Sequence, residues 1–289
     1  MRTYKALEAS KAWSKAEMIA PKQFREEISP YFNANPKKYI SALVSEDCWQ
    51  ATPGKVVDLV RNLGIAAGGT VMEDCRVLEA CREGKYTSVL VQTHDKKYVE
   101  YRTEHFVNAL GSGAGKLCDS MGIDAGLYPV RHQAFITRRL PMLGKHGTNL
   151  DMLIDRQDYK GFSAVYGQQI AYTGQIIGCA SPKLDAMRID KNLKVNTKAF
   201  LEIVSEMFSE WIPDLAGVGI QAVWAGYYTE PRYIVDPELG LFVGMRGHGF
   251  MLSQYIARMY VDKLLGRPVP EYFEKLKLNG PGLSEKAFK

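Results

Sequence analysis

Two short stretches hold the residue types from which a ligand site can be built. The first is Gly244-Met245-Arg246-Gly247-His248-Gly249, lying between an apolar run at Leu241 to Met245 and a helical pattern from Phe250 to Leu265. The second is Val107-Asn108-Ala109-Leu110-Gly111-Ser112-Gly113, which continues through Ala114-Gly115 into a helical start at Lys116. A glycine turn has no Cβ in the way, so its backbone can come close to a ligand. The helix that follows presents unbonded N–H groups and a partial positive charge at its first turn. Turn and helix together make an anion site. Three glycines between strand and helix make Gly244 to Gly249 the more specific of the two signals. The G-S-G-A-G of the other falls short of G-x-G-x-x-G, and Asn108, Ser112 and Lys116 lack the P-loop spacing. Ordinary loop geometry accounts for that stretch equally well. His248 is a candidate for catalysis, although a lone histidine in a turn also serves as a structural residue or a simple donor. Arg246 and Tyr227 are the other catalytic candidates.

The elements that must position these residues follow from periodicity. Helical spacing runs over Tyr4 to Met18, with Leu7, Ala12, Trp13 and Ala16 inward, and Pro21 ends it. Phe24 to Ile28 fits a short helix, and Ile40 to Val44 a strand. Thr52 caps and Pro53 opens a helix through Val56, Val57, Leu59, Val60 and Leu63, stopped by Gly68-Gly69. Thr70 to Met72 and Arg76 to Ala80 read as strands. Ser88 to Thr93 and Tyr98 to Arg102 form a hairpin about Asp95-Lys96-Lys97. Glu104 to Leu110 reads as a buried strand. Residues 126 to 190 are β-rich, with strands at Ala134 to Thr137, Ala164 to Tyr166 and Gln175 to Ile177. Asn196 to Trp211 is an amphipathic helix with Phe200, Ile203, Val204, Met207, Phe208 and Trp211 on one face. Trp224 to Tyr228 and Leu241 to Met245 are further strands, and the last helix closes at Gly266. The pattern is α/β in the broad sense, with mixed α and β elements.

Composition narrows the functional class. The 289 residues are 46% hydrophobic and 24% charged, values typical of a globular protein able to bury a sizeable core. The formal net charge is +5, with the basic residues interleaved with acids. No concentrated basic stripe backs a nucleic-acid-binding motif, so nucleic acid is not the expected partner. Cys48, Cys75, Cys81, Cys118 and Cys179 are odd in number and form no C-x-x-C pair, which argues against a disulfide framework and for a reducing cytoplasm. The first twenty residues lack the apolar core of a signal peptide, and no apolar run is long enough to span a membrane. No metal-ligand pattern is present.

At the glycine junctions the chain resembles the D-amino-acid oxidase superfamily of flavoproteins, in its sarcosine oxidase, glycine oxidase and dimethylglycine dehydrogenase branch. The resemblance covers roughly Thr52 to Pro268 and rests on the order of several motifs. Thr52 to Gly69 is similar to the helix that leads, through a glycine, to a strand contacting the adenine end of FAD. Arg76-Val77-Leu78 stands in that strand. Val107 to Gly111 resembles the family's V-x-A-A-G strand, and Leu127 to Gln133 its P-V-R-G-Q passage into the substrate domain. Thr229-Glu230-Pro231 and Gly244 to Phe250 match the closing T-P-D turn and the G-x-x-G-H-G-F element. Ser112-Gly113 departs from the usual Ala-Trp. Met251 stands where sarcosine oxidases often have the lysine that binds the substrate carboxylate, and His248 where glycine oxidase-like members place an arginine. Arg246, Arg131 and Arg156 are substitutes for that anchor by charge alone.

The resemblance implies FAD as cofactor and oxidation of the C–N bond of an amino acid or a secondary or tertiary amine. It implies Val77, Ala109, Gly111, Ser112, Gly247, Gly249, Phe250 and Met251 as cofactor contacts, and no particular general base. Tyr159, Tyr166, Trp224, Tyr227 and Tyr228 would wall the substrate or simply pack on the sheet. None of the cysteines sits in a motif for covalent flavin attachment. The expected layout is an FAD-binding domain from 52–125 and 222–275, a substrate domain from 20–51 and 126–221, an N-terminal helix at 1–19 and a tail at 276–289. Residues 1 to 50 contain no strand–G-x-G-x-x-G–helix with an acid about 20 residues on. The Rossmann-like FAD-binding domain is therefore expected to be incomplete, and interleaved with a β-sheet substrate domain. The alternative expectation is a non-catalytic or half-site subunit or fragment that needs a partner chain to supply the nucleotide loop and complete the FAD site.

Overall fold

The computed structural model describes residues 16–31, 33, 35, 37, 39–45, 49–144, 150–155, 162–170, 173–182, 193, 197–213 and 217–281. Its first half runs β1 (Ala16–Ile19), β2 (Ala42–Ser45), α1 (Pro53–Ala66), β3 (Arg76–Glu83), β4 (Tyr86–Gln92), β5 (Tyr98–Thr103), α2 (Ala114–Ser120) and β6 (Tyr128–Thr137). Then come β7 (Leu153–Asp155), β8 (Phe162–Ile170), β9 (Gln175–Pro182), α3 (Thr197–Trp211), β10 (Ile220–Glu230), β11 (Ile234–Asp236), β12 (Leu241–Val243), α4 (Gly249–Leu264) and α5 (Glu271–Glu274). The chain divides into two compact units, one of Met1–Cys48, Val130–Tyr227 and Glu285–Lys289, the other of Trp49–Pro129 and Tyr228–Ser284. The mixed α/β class expected from the periodicity is the one found.

The first unit is built on a five-stranded sheet in the order β10-β6-β9-β8-β7. The predicted apolar face of α3 is what covers it. Phe200, Ile203, Val204, Met207, Phe208 and Trp211 are all buried. Their rings interlock with Phe135 of β6, whose centroid lies 5.2 Å from that of Phe208 at 86° and 6.2 Å from that of Phe200. Edge-to-face geometry of this kind adds to the area term. Gly178 makes room for Phe135, since a Cβ there would stand 2.5 Å from the ring. The C-terminal end of α3 is tied down by polar contacts. Trp211 Nε1 donates to Asp155 Oδ2 at 3.1 Å, Tyr39 Oη donates to the same oxygen at 3.3 Å, and Asn33 N–H donates to Trp211 O at 2.6 Å. Burial, reinforced by Asp155, pushes the Tyr39 hydroxyl well up from its ordinary value.

The second unit contains the β3-β4-β5 meander and the β11–β12 hairpin. Leu117 of α2 closes a small core with Ala80, Val89 and Val91. Ile256, Met259 and Tyr260 of α4 close another with Val235, Phe273 and Leu276. The turn between β4 and β5 falls where expected, with Thr93 N–H donating to Lys97 O at 2.9 Å and Lys96 at φ +65°.

Several expectations are corrected. Most of the helix expected over Tyr4 to Met18 lies outside the described residues, but Ala16 to Met18 are strand, because they pair with Leu43 to Ser45. Thr70 to Met72 is not a strand. Glu104 to Leu110 is not a strand either. Its one bridge, Asn108 to Leu241, is the only ladder contact the segment makes among the described residues. Thr52 leads into α1 without a side-chain cap. The α1 helix forms as predicted but buries none of its residues, leaving Val57 and Leu63 each 61% exposed.

Candidate cofactor site

The Gly244 to Gly249 junction has the geometry its glycines foreshadow. Gly244 takes φ +70°, and a Cβ there would stand 1.9 Å from Arg232 O, so no other residue fits. A Cβ at Gly247 would meet the Tyr228 ring at 2.6 Å, and one at Gly249 would meet Met245 Cβ at 3.0 Å. The turn is thus packed on its inner side against the Tyr228 ring, the Arg232 carbonyl and Met245. Between the glycines, Arg246 adopts the left-handed φ of +51°, unusual for a side chain with a Cβ. An ion pair holds it there, Arg246 Nε to Glu230 Oε2 at 2.5 Å, with side chains 19% and 16% exposed.

The helix that follows opens with unspent donors. Its first intrahelical bond is Leu252 N–H to His248 O at 3.0 Å, so the N–H groups of Gly249, Phe250 and Met251 precede the helical ladder. No acidic residue sits in the first turn to compete for them. Phe250 and Met251 are 46% and 68% exposed, so apolar side chains flank the donors. His248 occupies the N-cap position without a side-chain cap bond, and its Nδ1 lies 2.5 Å from Tyr233 Oη. Burial raises the Tyr233 hydroxyl above its ordinary value, Arg246 opposes that, and Glu230 adds to it.

The Val107 to Gly113 stretch is organised by Asn108, which is fully buried. Its N–H donates to Gly240 O at 2.8 Å and its O accepts from Phe242 N–H at 3.0 Å, which fastens the segment to β12. Its Nδ2 donates to Ala114 O at 3.0 Å and its Oδ1 accepts from Leu110 N–H at 3.2 Å, which shapes the glycine turn. Gly111 takes φ +57°, and nothing lies within 4 Å of where its Cβ would stand. Because β12 leads directly into Gly244, Asn108 couples the two glycine junctions. On β3 the register shifts between Val77 and Glu79, a bulge that releases main-chain groups from the ladder.

Sequence candidates therefore sort by place. Val77, Ala109, Gly111, Ser112, Gly247, Gly249, Phe250, Met251, Arg246 and His248 belong to the second unit, with Tyr228. Tyr166, Trp224, Tyr227 and Arg131 belong to the first. Tyr159 and Arg156 lie outside the described residues. Arg246 is engaged by Glu230 and so is a poor carboxylate anchor. In the first unit, burial pushes the His132 imidazole down to about 4 and raises the Cys179 thiol, to which Tyr166 hydrogen-bonds. What sequence reasoning missed is Asn108 as an organiser, Glu230 as the partner of Arg246, and Arg232 and Tyr233 altogether. Asn108 left a signal, a lone amide in an otherwise apolar run, and Glu230 stood in the Thr229-Glu230-Pro231 turn.

A model of the FAD-dependent oxidoreductase family matches residues 1–263. The chain belongs to that family. FAD is the family's cofactor. Solved structures agree at the level of the fold. An L-proline dehydrogenase from P. horikoshii is 24% identical with a TM-score of 0.72, the match covering 91% of this chain and 68% of that one. A glycine oxidase from Geobacillus kaustophilus gives 16% and 0.71, over 94% of this chain and 68% of that one. NikD, an amino acid oxidase of nikkomycin biosynthesis, gives 15% and 0.72, over 94% and 70%. The curated proteins contain no significant sequence match.

The residues present fit the ring end of FAD. Three first-turn donors, no competing acid and two apolar shoulders suit a flat heterocycle with acceptors along one edge. The open space beside Gly111 suits a close backbone approach. Among the described residues no cluster of His, Cys, Asp and Glu could hold a metal ion, and no helix is long and apolar enough to cross a membrane.

Proposed function

We propose that this chain oxidises the C–N bond of an amino acid or of a secondary or tertiary amine. The observation that carries the reading is the uncommitted first turn of α4 behind a glycine junction, in a chain of the FAD-dependent oxidoreductase family. Bound FAD would supply the acceptor for a hydride equivalent from the carbon next to nitrogen, after which water hydrolyses the imine. The chain's own part is positioning and electrostatics. The N–H groups of Gly249, Phe250 and Met251, with Gly247 giving close approach, would stabilise negative charge on the reduced ring of bound FAD. Ala109, Gly111 and Ser112 would hold the ribose and phosphate side of FAD, and Val77 would offer main-chain groups from its bulge to the adenine. His248 is a polar contact held in orientation by Tyr233. Arg246 shapes the turn through Glu230. Tyr228, which packs beside Gly247 in the second unit, is a proposed substrate contact.

The test is the visible spectrum of the purified chain with added FAD, followed by anaerobic mixing with a panel of small amino acids and N-methylated amines. Flavin bands that bleach with one of these substrates support the reading. Bound flavin that no amine or amino acid reduces refutes the substrate class. One observation favours a second reading, in which a partner polypeptide completes the FAD site. The α1 helix presents Val57, Val60 and Leu63 with none of its residues buried, and an apolar helix face of that kind calls for a cover. Stoichiometric FAD retention by the isolated chain would sink that alternative.

A further inference from the structure

The family match ends at residue 263, yet the segment after it buries Phe273 and Leu276 in the second unit. Gly266, at φ +68°, ends α4, and the chain turns back through Pro268 and Pro270 into α5. Phe273 and Leu276 are buried between α4 and β11, in one cluster with Val235, Ile256, Met259 and Tyr260. Leu278 packs on the neighbouring cluster of Ala114, Leu241 and Val243. Main-chain and polar bonds add direction to this burial. Val235 N–H donates to Leu276 O at 2.9 Å, and Leu278 N–H donates to Asp236 Oδ2 at 3.3 Å. Lys277 Nζ reaches Glu238 at 2.7 Å and Glu274 at 3.0 Å.

Arg232 joins this segment to the glycine junction. Its guanidinium donates to the carbonyl oxygens of Leu278 and Gly280. Its own carbonyl oxygen is the atom that crowds the place of a Cβ at Gly244. One residue therefore holds the returning segment with its side chain and sets the start of the Gly244 to Gly249 turn with its main chain. Residues 107 to 113 are tied to the same hairpin through Asn108, and Leu278 touches the cluster beneath them.

We infer that residues Glu271 to Gly280 form a clasp that fixes the position of the Gly244 to Gly249 turn, with Arg232 as the positioning residue. The consequence for FAD rests on the proposed function; the mechanical coupling does not. In free protein, the amides of residues 244 to 252 and of 276 to 280 open together, because both lean on Arg232. Arg232→Met removes both guanidinium donors but keeps most of the side-chain volume. It should speed hydrogen exchange in 244 to 252 by about tenfold or more, and weaken FAD binding by a similar factor, with global melting little changed. Arg232→Lys, which can still donate to one carbonyl, should recover part of both. A purely structural role would lower the melting temperature without selectively loosening 244 to 252.

Hydrogen exchange followed peptide by peptide on the full chain, with and without FAD, makes the decision. Unchanged exchange over 244 to 252 in Arg232→Met overturns the clasp. Should that variant not fold, Leu278→Ala is read in the same way, and unchanged exchange there overturns it too. Absence of FAD binding by the unaltered chain refutes the functional reading alone, since the exchange comparison needs no cofactor.

Discussion

Asn108→Ala tests how far the site depends on one buried amide. The substitution keeps the main-chain bonds to Gly240 and Phe242 and removes only the side chain, which is fully buried. Three partners then lose a contact, and the one to Cys118 Sγ, long at 3.5 Å, adds little to the cost. Leu110 N–H gives up a 3.2 Å bond in a half-exposed loop, where water can replace it, at about 1 kcal/mol. Ala114 O gives up a 3.0 Å bond in a fully buried position but keeps its helical partner, again about 1 kcal/mol. The vacated volume adds about 1 kcal/mol of lost packing. The sum is about 3 kcal/mol, confined to the second unit. Asn108→Asp should be worse, because it keeps the acceptor, loses the donor and sets a carboxylate against a carbonyl in a dry site. The assay is chemical denaturation read by probes in each unit, since one transition for the whole chain is not assured. It is paired with FAD titration, in which the loosened Ala109 to Ser112 loop should weaken binding. A cost for Asn108→Ala under about 0.5 kcal/mol, with FAD affinity unchanged, would refute the role assigned to this residue.

Two further outcomes follow from the geometry. Gly244→Ala should cost about 3 kcal/mol or more, since φ +70° disfavours a Cβ and the Cβ would lie 1.9 Å from Arg232 O; a thermal melt within a degree of the parent would contradict the packing described. Burial holds the folded His132 imidazole at about 4 against an ordinary 6.5. A depressed pKa gives stability that is whole above about 6.5 and is lost as pH falls toward 4, up to about 3 kcal/mol in all. His132→Leu should flatten that acid limb, and urea midpoints measured between pH 7 and pH 4 check it. A limb equally steep in the variant would remove His132 as its cause.

Much of the fold was legible because its elements carry local periodicity. The α3 helix presents at 3.6-residue spacing the very residues that bury against Phe135, and Gly266 ends α4 where the pattern stops. Thr70 to Met72 and Glu104 to Leu110 misled for one reason. Short apolar runs suit a strand only where a neighbour offers a free edge, and neither run has a ladder of its own. Ala16 to Met18 show the converse, a helical pattern overruled by the pairing offered by Leu43 to Ser45.

By itself the sequence determined the two glycine junctions, the helix that opens behind Gly249 and the family to which they point. Those features depend on residues adjacent in the chain, whose φ preferences and unbonded N–H groups are local properties. Only the tertiary structure decided that Arg246 is matched by Glu230, that His248 is held by Tyr233, that Asn108 fastens one junction to the other, and that Arg232 grips Leu278 and Gly280. Each of those pairings joins residues that are apart in sequence. Their choice is settled by where the packed core carries the backbone, which no local pattern encodes.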